Sequence, residues 1–174
     1  MSHIKFYLFR DVKTPRRAFP TTAGIDVFVP KFDEAFMSEI KKQNEGKNAV
    51  VYNPTERAFY IQPHSALIVP SGFKYKMEAS DRALIAKNKT GFTSKNLTIV
   101  GFCVADSDYQ GEEFFHLINV STKPVKIVED QPIIQLVEMP VYLTEVVVVN
   151  SEDELFNNEV TTRGTGAFGH TDKK

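Results

Sequence analysis

In VADSDYQGEE (104–113) two carboxylates and a phenol, Asp106, Asp108 and Tyr109, crowd the bend between two strand-like runs. A carboxylate at a rigid strand end can take a proton from water and turn it into a nucleophile. AKNKTGFTSKN (86–96) sets three ammonium groups, Lys87, Lys89 and Lys95, around a Thr90-Gly91 pair. Cations, a hydroxyl and open backbone N–H groups suit a phosphate, although the spacing is not that of a P-loop. In TTAGIDVFVP (21–30) a single carboxylate, Asp26, interrupts an apolar strand. In RGTGAFGHT (163–171) an arginine and two threonines can hold phosphate oxygens while Phe168 stacks on a flat ring. Each stretch also has an ordinary reading. Asp and Gly populate turns, lysine loops are solvated, a lone strand Asp marks an edge, and glycine-rich termini are loose.

The elements that must hold these residues read mostly as strands. KFYLF (5–9), GIDVFVP (24–30), AFYIQP (58–63), SALIVPSGFKYKM (65–77), ALIA (83–86), LTIVGFCVA (97–105), EFFHLINVS (113–121), VKIV (125–128), IIQLVEM (133–139) and YLTEVVVVN (142–150) are short and rich in Val, Ile, Phe and Tyr. Pro, Gly, Asn or Asp separates them. Such a series predicts a sandwich, jelly roll or barrel, with Asp106, Asp108 and Tyr109 at the bend of a hairpin. KFDEAFMSEIKKQNEG (31–46) breaks the pattern, because Phe36, Met37 and Ile40 share one helical face. Asp33 is its N-cap and Phe32 can staple onto Met37. Acidic residues open it, Lys41 and Lys42 close it, and Gly46 stops it, in accord with the helix dipole. Residues about 31–57 thus form a helical insertion. The polar, glycine-rich end, 151–174, reads as a mobile arm.

Bulk composition narrows the partners. The 174 residues carry 21 basic and 22 acidic side chains, a net charge of −1, so no polycationic surface points to nucleic acid. Cys103 is the sole cysteine and the four histidines have no metal-ligand spacing, which excludes a disulfide framework and a cysteine-rich metal site. There is no membrane-length apolar run and no secretory leader, so an intracellular, cytoplasmic protein is expected.

Taken in order, AGIDV, KTGFTSK, VADSDYQGE, DQPIIQL and RGTGAFGHT resemble the five motifs of the homotrimeric dUTPase family. The likeness covers nearly the whole chain apart from about 31–57, and DSDYQG and RGTGAFG are its most specific pieces. It implies an all-β fold, a distorted jelly-roll barrel over 1–150 with the helical insertion, and an arm over 151–174 that closes on a neighbouring subunit's site in a trimer. It implies cleavage of dUTP to dUMP and pyrophosphate with Mg2+. Carried over residue by residue, Asp106 would deprotonate the water that attacks the α-phosphorus, and Tyr109 would lie flat on the deoxyribose. Asp26 would hold water ligands of the magnesium. Backbone around Val100, Gly101 and Phe114 would read uracil, while Lys89, Thr90, Gly91 and Gln135 would contact the phosphate chain. In the arm, Phe168, beside Gly169, would cover the base, and Arg163, His170 and Thr171 would approach the phosphates.

The chain departs from the family pattern at identifiable places. Lys89-Thr90-Gly91 stands for the usual Arg-Ser-Gly, and lysine lacks the bidentate fork of arginine. Cys103 and Asp130 each replace a glycine, Pro132 replaces a common arginine, Ala167 replaces a glycine and His170 replaces a serine. Three other activities are compatible with the same fold: a dCTP deaminase, a hydrolase of a modified dUTP, and a regulatory protein that binds a protein partner through 31–57. For that insertion the alternative is a helix that merely covers the barrel.

Overall fold

The computed structural model describes residues 3–47, 50–101 and 104–166. In chain order its elements are β1 (Ile4–Leu8), β2 (Gly24–Phe28), α1 (Glu34–Gln43), β3 (Val50–Asn53), β4 (Ala58–Ile61), β5 (Ala66–Pro70), β6 (Phe73–Met77), β7 (Arg82–Asn88), α2 (Thr90–Asn96), β8 (Thr98–Val100), β9 (Val104–Asp106), β10 (Phe114–Asn119), β11 (Val125–Val128), β12 (Pro132–Pro140) and α3 (Glu152–Phe156). They separate into two compact units, Met1–Tyr142 and Leu143–Lys174.

In the first unit the strands pair antiparallel into four small sheets: β1-β6, β5-β10-β8, β11-β4-β3 and β2-β12-β7-β9. Alternation decides which side chains go inward. Along β6, Phe73, Tyr75 and Met77 are buried while Lys74 and Lys76 face water; along β10, Phe115, Leu117 and Asn119 point in. β12 is buried on its Ile133, Ile134 and Leu136 side chains and pairs with β2 and β7, with a register irregularity just after Pro132. A proline at a strand start removes a donor the ladder does not need there.

Asn119 is a fully buried polar residue whose bonds are met: Nδ2 donates to the carbonyls of Ile61, Gln62 and Lys123, and Oδ1 accepts from Ser121 N–H. Such a network ties β10 to the turns around it, since a buried amide left unpaired would cost about 1–3 kcal/mol per group.

The insertion forms as its composition predicts. Asp33 caps α1 through Phe36 N–H at 2.7 Å, and Phe36 and Ile40 are buried. Phe32 stacks on Phe36 at 5.2 Å and meets Phe59 edge-on at 5.1 Å, rooting the helix in the sheet core. Phe36 and Ile40 on its apolar face thus cover part of the β domain. β3 pairs with β4 and is a strand absent from the sequence-based series.

Expectations change at several places. SALIVPSGFKYKM divides into β5 and β6 at Ser71-Gly72, where Gly72 has a φ of 76°. The bend after β9 is not a hairpin, because β9 pairs with β7 whereas β10 pairs with β5 and β8; the chain crosses between sheets there. The predicted strand over 142–150 does not form, and Val146, Val147 and Val148 are 89, 71 and 86% exposed. A strand exists only with a partner, and among the described residues none pairs with this run.

In the second unit, within the stretch read from sequence as a mobile arm, the short helix α3 is capped by Ser151 through Glu154 N–H. Among the described residues no helix is long and apolar enough to cross a membrane.

Candidate active site

Two groups of the sequence-predicted residues assemble in the first unit. The first centres on Asp26. Its backbone bridges Arg16 (N–H to O, 2.8 and 3.1 Å), and in the sheet it lies opposite Gln135 of β12. Gln135 Nε2 donates to the Asn88 carbonyl at 2.9 Å, and Asn88 Oδ1 accepts from Val100 N–H at 2.8 Å. The next residue, Lys89, is the N-cap of α2 and turns its Nζ onto both Asp26 carboxylate oxygens, 2.9 Å from each. The two side chains are only 27 and 16% exposed. The lysine-rich segment is thus a helix start and not an open loop. Lys89 and Gly91 wall a shallow cavity of about 220 Å³ with Lys95, Gln131 and Pro132, and Thr90 opens the helix between them.

The second group centres on Asp106, which ends β9 opposite Ala83 of β7. Its carbonyl accepts from Tyr75 Oη and from Tyr109 N–H. Tyr109 folds over Gly111, where an added Cβ would come within 2.1 Å of the phenol oxygen, and Oη donates to the Glu112 carbonyl at 3.1 Å. Only glycine admits the ring so close to the backbone. Glu112 is fastened in turn. Its carboxylate accepts from Arg10 Nε at 3.1 Å, Arg10 Nη2 at 3.0 Å and Gly72 N–H at 2.8 Å, with both side chains about a tenth exposed. This bidentate bond holds the Arg10 guanidinium pKa above its ordinary value, against the opposing effect of burial. Asp106, Tyr109, Glu112 and Phe114 wall one cavity of about 250 Å³.

Beside this group Gly101 N–H donates to the His116 carbonyl at 2.8 Å, and the imidazole lies against Gly101, where a Cβ would meet Nδ1 at 2.3 Å. Burial, and then the charge of Lys47, pushes the His116 pKa below 6.5.

Asp130, the residue standing for a glycine, has a φ of 62° in the turn between β11 and β12. Aspartate is among the residues that tolerate this left-handed conformation. Lys31 and Lys13 pair with its carboxylate, and the Lys31 bond foremost holds its pKa below 3.8.

In the second unit, Arg163 Nε donates to the Gly166 carbonyl at 2.9 Å within its own turn. Phe168, Gly169, His170 and Thr171 lie outside the described residues, as does Cys103. Among the described residues no three His, Cys, Asp or Glu side chains cluster to hold a metal. Sequence reasoning missed Arg10, Glu112 and His116. Arg10 and Glu112 are 102 positions apart, and nothing in FRD or QGEE marks them as partners.

A family model for dUTPase matches residues 50–172. The deoxyuridine 5'-triphosphate nucleotidohydrolase of Actinobacillus succinogenes is 34% identical over 122 residues, 69% of this chain and 77% of that one. Its counterpart from Haemophilus influenzae is 31% identical over 121 residues, 68% and 76% of the two chains. Among solved structures, the dUTPase of Staphylococcus bacteriophage 80alpha with dUpNHpp aligns at a TM-score of 0.69 and 15% identity, covering 97% of each chain. A dUTPase mutant from phage phi11 of S. aureus, described with a coordinated structural Mg(II) ion, aligns at 0.63 and 14% identity, covering 86% of this chain and 97% of that one.

Proposed function

This chain belongs to the dUTPase family, and from that premise we propose that it hydrolyses dUTP to dUMP and pyrophosphate. The observation that carries the reading is that Asp106 and Tyr109 wall one cavity with Phe114, so a carboxylate for water and a ring for deoxyribose face the same space. Asp106 takes a proton from water as that water attacks the α-phosphorus; the bond to the bridging oxygen breaks and pyrophosphate leaves. Tyr109 lies flat on the sugar and leaves no room for a 2′-hydroxyl. Backbone at Val100, Gly101 and Phe114 reads the uracil edge, and Lys89, Thr90, Gly91 and Gln135 hold the phosphate chain.

Asp26 is the residue that would hold a magnesium ion, through its water ligands. A single carboxylate, paired with a lysine that walls an open recess, fits an ion whose remaining ligands come from the nucleotide. When bound, the ion would neutralise charge on the phosphates.

The enzyme acts as a homotrimer. Residues 142–150 find their strand partner in a neighbouring subunit, and the 151–174 arm closes over that neighbour's site. Arg163, His170 and Thr171 then approach the phosphates, and Phe168, beside Gly169, covers the base. What supports this is an apolar run that pairs with nothing among the described residues of its own chain. A protein partner at 31–57 is a second reading, favoured by a groove of about 720 Å³ that α1 forms with β3 and β4. Deleting the insertion's exposed residues while turnover persists would leave that reading standing.

The decisive experiment measures pyrophosphate, phosphate and ammonia from dUTP, dCTP, dTTP and UTP with Mg2+. Pyrophosphate and dUMP from dUTP alone are expected. Ammonia from dCTP, or single phosphate from dUTP, would overturn the assignment.

A further inference from the structure

Lys89 does in this structure something that a phosphate-binding cation need not do: it neutralises Asp26. Its Nζ lies 2.9 Å from both carboxylate oxygens. Among the described residues no second cation pairs with Asp26 and no second carboxylate pairs with Lys89. The pair is about three-quarters or more shielded on each side chain, so leaving either partner alone exposes a charge that water only partly solvates.

We propose that Lys89 is a positioning residue that acts as an internal counter-ion, closing Asp26 to free divalent cations and releasing it when the triphosphate draws the ammonium away. The inference rests on the dUTP-hydrolase reading for the identity of the ligand. The charge balance gives its consequence. A divalent cation arriving alone must displace Lys89 and strand an unpaired ammonium. A triphosphate arriving without a cation draws Lys89 off and strands the Asp26 carboxylate next to more negative charge. The metal–nucleotide complex exchanges both partners at once: ammonium to phosphate, carboxylate to hydrated cation. The site therefore selects the complex over either component.

Lysine suits this exchange better than arginine. Its ammonium is a compact point charge on a flexible stem with rotatable donors, whereas a guanidinium gives a fixed fork that locks onto a carboxylate in plane. The lysine at position 89 thus becomes a feature of how the site loads.

The test is a titration of nucleotide-free protein with Mn2+, free ion being counted by electron paramagnetic resonance. Lys89→Met should bind Mn2+ more tightly than wild type by roughly 10- to 100-fold, the scale of a charge-assisted hydrogen bond lost by the competitor. Adding Asp26→Asn should abolish the gain, and Lys89→Arg should keep Mn2+ binding weak. A complementary measurement uses dUpNHpp in EDTA, where Asp26→Asn should bind the metal-free analogue more tightly than wild type. Equal Mn2+ affinity in wild type and in folded Lys89→Met and Lys89→Gln variants would overturn the proposal. Because the titration involves no turnover, it separates the two readings. A gain in Mn2+ affinity in a protein that leaves dUTP intact would sink the hydrolase assignment and keep the counter-ion.

Discussion

The two halves of the site are built on opposite plans. On the Asp106 side the groups are fastened from outside: Tyr75 holds the Asp106 backbone carbonyl, the Glu112 carbonyl holds the Tyr109 hydroxyl, and Arg10 with Gly72 holds the Glu112 carboxylate. On the Asp26 side the charged groups satisfy one another, Lys89 on Asp26, with Gln135 turned to the Asn88 carbonyl. The first half is assembled before any ligand arrives. The second must give up its internal bonds to make new ones. In the function proposed above, preorganisation would suit the reacting water and the sugar, where misplacement by an ångström is costly. Exchange suits a polyanion that brings its own counter-charge.

Breaking the chemistry at the fastened half should give the largest effect. Asp106→Asn keeps size and strand pairing but loses the base, so kcat should fall by roughly 10²- to 10⁴-fold while dUpNHpp still binds, as read by single-turnover assay and calorimetry. Near wild-type turnover would show that the base lies elsewhere.

The anchor comes next. Arg10→Met leaves the Glu112 carboxylate without its cation, held by the Gly72 N–H alone, at a site about a tenth exposed. Breaking such a pair should cost roughly 3–5 kcal/mol, or about 6–20 °C in Tm at 2–4 °C per kcal/mol. The preference for dUTP over UTP should narrow with it, because Tyr109 hangs on the same residue. An unchanged selectivity in a destabilised protein would mean that the anchor serves the fold alone. Tyr109→Phe asks for less. It removes one neutral hydrogen bond worth about 1 kcal/mol, so KM for dUTP should rise a few-fold with kcat nearly unchanged.

The smallest effect concerns pH. Burial holds His116 below 6.5 in the folded protein, so the unfolded chain takes up the proton first as pH falls. Stability is full above the unfolded value and declines as pH drops from about 6.5 toward the lower folded value. His116→Gln should flatten that decline, as measured by denaturant unfolding at pH 7.5 and 5.5. A slope unaltered by the substitution would assign it to other groups.

How much of this was legible depends on the range of the interaction. α1 was readable because its cap, charges and apolar face lie within about a dozen residues, and the fold class because strand alternation is local. The family was legible through the order of the motifs, and the proposed site rests on the Asp26, Lys89, Asp106 and Tyr109 that those motifs carry. The Lys89–Asp26 pair spans 63 positions and the Arg10–Glu112 clamp 102, and no local pattern encodes either. Asp130 was visible as a departure from glycine, but its meaning needed the backbone angle. IIQLVEM and YLTEVVVVN looked equivalent in composition. The first lies between β2 and β7 and became a strand; the second has no such flanks among the described residues. β-propensity describes a surface that fits a neighbour, and the neighbour has to be there.

That unpaired run bears on how the protein's stability is to be expressed. Val146, Val147 and Val148 are nearly bare in the single chain, and in the proposed assembly a strand from another subunit would bury them. In the trimer proposed above, part of the apolar burial that holds the fold therefore belongs to association, and mass action ties it to concentration. Dilution would lower the melting temperature with no change in sequence, buffer or pH. A Tm for this protein then describes a solution of stated molarity, and comparisons among variants hold only at equal subunit concentration.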